Sequence, residues 1–151
     1  VVVQSKMVMM GYWRKPEETD EVMGDGWLHT GDMGYYDEKG YIYLVDRKKD
    51  MIVTGGENVY PREVEEILYL HPAIAEAAVI GVPDDLWIER VHAVVVLKEG
   101  GQTTEEEVIE FCKRHFARFK AHKSVEFVKS LPKNPQGKIL KRELRKRSWA
   151  G

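Results

Sequence analysis

An α+β fold is predicted for the chain from about residue 49 onward, and three observations carry that prediction. Two apolar runs of strand length occupy residues 73–82 and 91–97. Pro61 opens a helical stripe in which Val64, Ile67 and Leu68 share one face, closed by His71-Pro72. Thr104 and Glu107 have capping-box spacing ahead of a second stripe, Val108, Ile109, Cys112 and Phe116. A mixed sheet packed by helices accommodates all three. Residues 1–48 hold short strand patterns without helices long enough to cover them, and read as the edge of a larger β structure.

Taken in order, residues 1–10 form a short apolar run expected as a strand that turns at Gly11-Tyr12-Trp13. Lys15-Pro16 starts an acidic helical turn, which the glycines around Asp25 end. Residues 27–30, 34–37 and 41–46 look like strands, the last two joined as a hairpin across Glu38-Lys39-Gly40. Residues 51–53 and 58–60 are expected as hairpin arms around the turn 54–57. The two long apolar runs are separated by a polar stretch, 83–90, expected as a loop. Residues 125–128 make a further strand, and 141–147 a short basic helix.

The 151 residues are 43% hydrophobic and 32% charged, which suits a soluble globular protein. No apolar run approaches a membrane span, and the start lacks the basic-then-apolar pattern of a secretory leader, so cytoplasm is the expected location. The chain opens on Val1-Val2-Val3 without Met and reads as a piece of something longer. One cysteine, Cys112, allows no internal disulfide, and its place on an apolar stripe marks it as a core thiol. Net charge is -2, but unevenly spread: residues 113–147 contain thirteen Lys or Arg against two Glu. That asymmetry predicts a polyanion-facing surface, or a solvated basic helix.

Three segments carry chemistry. The stretch LPKNPQGK, 131–138, combines two prolines and a glycine around Lys138, an ordered loop presenting one ammonium group. HTGD at 29–32 and RKKDMIVTGGEN at 47–58 suit phosphate and ribose handling. Together they point to nucleotide chemistry.

These segments resemble the adenylate-forming superfamily of acyl-CoA and aryl-CoA synthetases, peptide-synthetase adenylation domains and firefly luciferase. The likeness runs in order through GYW, PE and Thr19 at 11–19, DGWLHTGDMGYYDEKGYIYLVDRKKDMIVTGGENVYPREVEE at 25–66, HP and EAAVIGVPD at 71–84, and LPKNPQGKILKREL at 131–144. It implies an ATP-dependent acid:CoA ligase that makes acyl-AMP and then acyl-CoA, on a fatty or aromatic acid. Residues 1–48 would end a large N-terminal AMP-binding domain, and 49–151 would be the small mobile C-terminal domain, which docks on it. ATP, CoA and Mg²⁺ are the implied cofactors, with no metal ligand visible in the chain. The fragment alone is expected to be inactive.

The resemblance also implies roles residue by residue. Asp32 would accept the ribose hydroxyls of ATP, two parallel bonds that its charge strengthens; a turn-closing Asp has the same local signature. Arg47 would reach the ribose and phosphate side with a guanidinium fork, although 46–50 is also an ordinary charge run. Lys49 falls at the hinge. Gly55, Gly56 and Glu57 would line the passage for the CoA thiol, where backbone must approach the ligand closely; a tight hairpin turn would look alike. Lys138 would be the adenylation cation, or a lysine at the start of the basic helix. Phe119, Lys120 and Lys123 would meet the CoA nucleotide through an aromatic face and ammonium groups. Trp87 is followed by Ile88 where many relatives have Gly, so that turn is expected to differ. Two alternatives stay open. One is an adenylation domain loading a carrier-protein thiol; the other, of a different class, is a basic nucleic-acid-binding module.

Overall fold

The computed structural model describes residues 1–115 and 124–149, and it divides into two units, Val1–Lys49 and Asp50–Gly151. In the first unit, strand β1 (Val2–Val3) pairs antiparallel with β2 (Leu28–His29), and helix α1 (Pro16–Met23) lies between them in sequence. Proline at the first helical position of α1 supplies the φ that helix entry needs. Strands β3 (Asp32–Tyr36) and β4 (Ile42–Arg47) form a hairpin, with Asp37 accepting from the Lys39 and Tyr41 amides across the turn. The strand expected over 1–10 shrinks to Val2–Val3, because β2 offers only two residues to pair with. None of residues 1–49 is buried, so this unit has no core of its own.

The second unit is built on a five-stranded sheet. Strands β5 (Ile52–Thr54) and β6 (Glu57–Val59) make a hairpin whose two-residue turn is Gly55–Gly56. Both glycines have positive φ, +57° and +81°, the geometry whose twist matches paired strands. Strands β7 (Ile74–Asp84) and β8 (Ile88–Leu97) form a long antiparallel hairpin. The expected loop over 83–90 is therefore only Asp85-Leu86-Trp87: Val82 pairs with Arg90, Pro83 with Glu89 and Asp84 with Ile88. Polar residues at exposed strand ends hid that pairing from a reading based on apolar runs. One edge of β8 carries β7; the other carries β5 at Ile88 and the parallel strand β9 (Ser124–Phe127) along His92–Val95.

Side-chain alternation divides the sheet into two apolar faces. Ala77, Val79, Val91, Ala93 and Val95 pack with Val64 and Leu68 of helix α2 (Pro61–Leu68) and with Val108 and Cys112 of helix α3 (Glu105–Lys113). Ala78, Ile80, Val82 and Val94 pack on the opposite face with Leu131 and with Leu144 of helix α4 (Lys141–Trp149). The capping box forms as expected: Thr104 Oγ accepts the Glu107 amide at 3.3 Å while the Glu107 carboxylate accepts the Thr104 amide at 3.0 Å. Burial pushes the Cys112 thiol up to about 12, so it stays protonated at neutral pH, as a core thiol should.

Candidate functional site

Each unit holds its own group of candidate residues. In the first, the β3–β4 register sets Asp32 directly opposite Arg47, and the two side chains form an ion pair with Nε 3.0 Å from Oδ1. Both remain open to solvent, and Asp32 lines an open depression of about 530 Å³ with His29, Gly31, Gly34 and Lys48. Residues fifteen apart in sequence thus become one carboxylate–guanidinium pair at a hairpin base. Such a pair can offer an acceptor for hydroxyls and a donor for phosphate oxygens side by side. Lys49 is exposed within a single 3₁₀ turn, Lys48–Asp50, and is the last residue of its unit.

In the second unit, residues 132–140 form a miniature hairpin rather than an open loop. Lys133 bridges to Ile139, the Leu140 amide donates to the Pro132 carbonyl at 2.8 Å, and the Asn134 amide donates to the Lys138 carbonyl at 2.9 Å. Asn134 organises the turn: its Oδ1 accepts the amides of both Gln136, at 3.1 Å, and Lys138, at 2.8 Å. Gly137 closes it at φ +81°. Leu131, buried in the core, and half-buried Ile139 root the hairpin on the sheet.

The lysines of this region have different fates. Lys133 pairs with Glu76 at 2.7 Å and Lys141 with Glu65 at 2.8 Å. Lys138, exposed between them, has no acidic partner among the described residues. A rigid turn thus holds one uncommitted ammonium group toward solvent.

The Gly55–Gly56 turn is held from the side by residues 87–89. The Gly55 amide donates to the Trp87 carbonyl at 3.0 Å, Thr54 pairs with Ile88, and Glu89 Oε2 accepts the Val53 amide at 2.7 Å. The Trp87 indole lies so close over Gly55 that a Cβ there would fall 2.5 Å from a ring carbon. Gly56 faces open space, and Glu57 is exposed beside it. Phe119, Lys120 and Lys123 lie outside the described residues.

Four residues that the sequence reading gave no such role stand out: Asp50, Asn134, Ile88 and Glu89. Asp50, the first residue of its unit, pairs with Arg145 of α4 at 2.8 Å, across 95 residues of sequence. No local signal marks that contact. The basic C-terminal stretch is also less bare than its composition suggests, because Lys133, Lys141, Arg145 and Arg147 are each paired with an acid from residues 50–126.

Residues 63–138 match the family described as the AMP-binding enzyme C-terminal domain. The chain is 55% identical over 144 residues to a long-chain-fatty-acid–CoA ligase of Bacillus subtilis, covering 95% of the chain and 26% of that protein. It is 50% identical to a fatty acid–[acyl-carrier-protein] ligase of Streptomyces coeruleorubidus, covering 93% and 27%. Among solved structures, the o-succinylbenzoate CoA synthetase of Bacillus subtilis in complex with its acyl-adenylate intermediate superposes with a TM-score of 0.87 at 38% identity. That match covers 95% of the chain and 29% of the solved one. The chain thus spans less than a third of the length of each relative.

Proposed function

The chain belongs to the AMP-binding enzyme C-terminal domain family, and on that premise we propose that it is the C-terminal part of an ATP-dependent acid:CoA ligase. In the first half-reaction the substrate carboxylate attacks the α-phosphate of ATP, forming acyl-AMP and releasing pyrophosphate. In the second, a thiol attacks the acyl carbonyl and AMP leaves. The unpaired Lys138 ammonium carries this reading. Of the lysines on the 133–141 segment it alone is left without an acid among the described residues, on a turn that five hydrogen bonds keep in shape. A fixed cation of that kind is what charge developing at the α-phosphate requires.

Asp32 and Arg47 are assigned to the ribose and phosphate side of ATP, Lys49 to the hinge, and Gly55, Gly56 and Glu57 to the thiol passage. Lys138 serves the first half-reaction once the unit beginning at Asp50 docks on the AMP-binding domain. Mg²⁺ is assigned to ATP and to the AMP-binding domain on which this unit docks. No described helix is long and apolar enough to cross a membrane, and the reaction's reactants suit a cytoplasmic location. Fatty acids are the favoured substrates, since the B. subtilis relative bears that name. A carrier-protein thiol is the second reading for the acceptor, favoured by the Streptomyces relative.

The test uses the full-length enzyme. Lys138→Ala should lower acid-dependent pyrophosphate exchange by about a hundredfold or more while thioester formation from supplied acyl-AMP changes far less. Gly56→Phe should do the reverse. Equal loss of both steps in both variants would remove the division of labour, and CoA compared with a loaded carrier protein as acceptor decides between the two thiols.

A further inference from the structure

Ile88 stands in a conformation its side chain opposes. Its φ is +72°, in the left-handed region, where a β-branched residue is a genuine outlier because Cβ crowds the following carbonyl. Such strain persists only where the surroundings over-determine it. Here they do: Trp87 and Glu89 on either side are hydrogen-bonded to β5 and its turn, and Ile88 itself pairs with both Thr54 and Asp84. Asp84 Oδ1 also accepts the Leu86 and Trp87 amides, each at 3.1 Å, fixing the approach from the other side.

That network accounts for the backbone and not for the side chain. Glycine or asparagine would adopt the same φ at little cost. Nor does the core hold the isoleucine, since the residue is 69% exposed. With Leu86, 78% exposed, and Trp87, 41% exposed, it makes an apolar ledge directly against the Gly55–Gly56 turn. An exposed, strained, apolar side chain beside a glycine turn that is covered at Gly55 and open at Gly56 calls for a ligand that is partly apolar and partly amide.

We propose that Ile88 is a specificity-determining residue for the thiol acceptor: its side chain packs against the pantetheine arm, whose gem-dimethyl carbons meet the ledge while its amides run past the glycine peptide groups. This rests on the thiol passage assigned above.

Two variants separate the side chain from the backbone, Ile88→Asn and Ile88→Gly. Relief of strain should raise the Tm of the 151-residue chain by roughly 4 °C for Ile88→Asn. In the full-length enzyme, both variants should raise the KM for CoA about fivefold, the effect of removing one partly buried isoleucine contact. Free pantetheine, which has the arm without the nucleotide, should show the same fold-change, and the KM for ATP in pyrophosphate exchange should move less than twofold. An unchanged KM for CoA, an effect seen with CoA but absent with pantetheine, or an equal effect on ATP would each overturn the proposal. So would a fall in Tm for both variants. A wild-type enzyme that makes acyl-AMP but no thioester on CoA or pantetheine would instead sink the acid:CoA ligase reading, and the Tm result would still report on the strain.

Discussion

Gly55 and Gly56 occupy one turn for different reasons. Both have left-handed φ, but only Gly55 lies under the Trp87 indole, with no room for a Cβ. Gly56→Ala should therefore cost about 1 kcal/mol, the left-handed penalty alone. Gly55→Ala adds a collision with a packed aromatic ring and should cost at least about twice as much. Urea denaturation of the two variants measures the difference, and equal costs would mean that Trp87 yields freely. The sequence marked these glycines as a turn, yet it could not distinguish them. The distinguishing contact comes from residue 87, more than thirty positions away. Asn134 shows the opposite case: its Oδ1 accepts backbone amides two and four residues ahead, so an Asn-Pro-Gln-Gly-Lys string already contains the turn it builds.

Helix α4 is tied to the sheet by its apolar and charged faces together. Leu144 is buried against Ile80 and Val94, while Lys141 and Arg145 reach Glu65 and Asp50 in half-buried ion pairs. Glu65 is doubly used, since the same Oε1 accepts the Val79 amide at 2.7 Å. Removing Arg145 leaves the mostly buried Asp50 carboxylate without its counter-ion. Arg145→Met should thus cost about 2 kcal/mol, and the double variant Asp50→Asn/Arg145→Met should recover part of that. The thermal midpoints of these two and of Asp50→Asn alone give the coupling, and additive losses would mean the pair is idle. Composition alone made this helix a basic face, because the acids that neutralise it come from strands and helices far upstream. By contrast, the capping box of α3 was legible, since both partners lie three residues apart in one helix turn. The β7–β8 hairpin was half legible: its apolar middle declared itself, and its polar ends were settled only by cross-strand register.

The molecule as a whole concentrates its stability in one unit. The core residues all belong to Asp50–Gly151, where the two sheet faces are covered by α2 and α3 on one side and α4 on the other. Two histidines of that unit, His71 and His92, are pushed below their ordinary value of 6.5, chiefly by burial. For His92, Glu126 opposes the shift and Arg90 adds to it. The folded state therefore refuses protons that the unfolded chain accepts. Stability from these groups is complete above about pH 6.5 and is lost as pH falls from there through the lower folded values. Urea midpoints should drop between pH 7.5 and 5.5, and His92→Gln should flatten that slope; a flat wild-type profile would count against neutral buried imidazoles. Residues 1–49 lack any such core, as their short strands and lack of covering helices suggested, and the paired Asp32 and Arg47 could be placed together only once the β3–β4 register was known.

Cys112 has a practical use. It is the chain's one sulfhydryl, and it is fully buried near the end of α3 with its proton firmly held. A maleimide dye would pass it over while the protein is folded, so a cysteine introduced on the surface could be tagged without first deleting the native one. Distance reporters on either side of Lys49 thereby become straightforward to install.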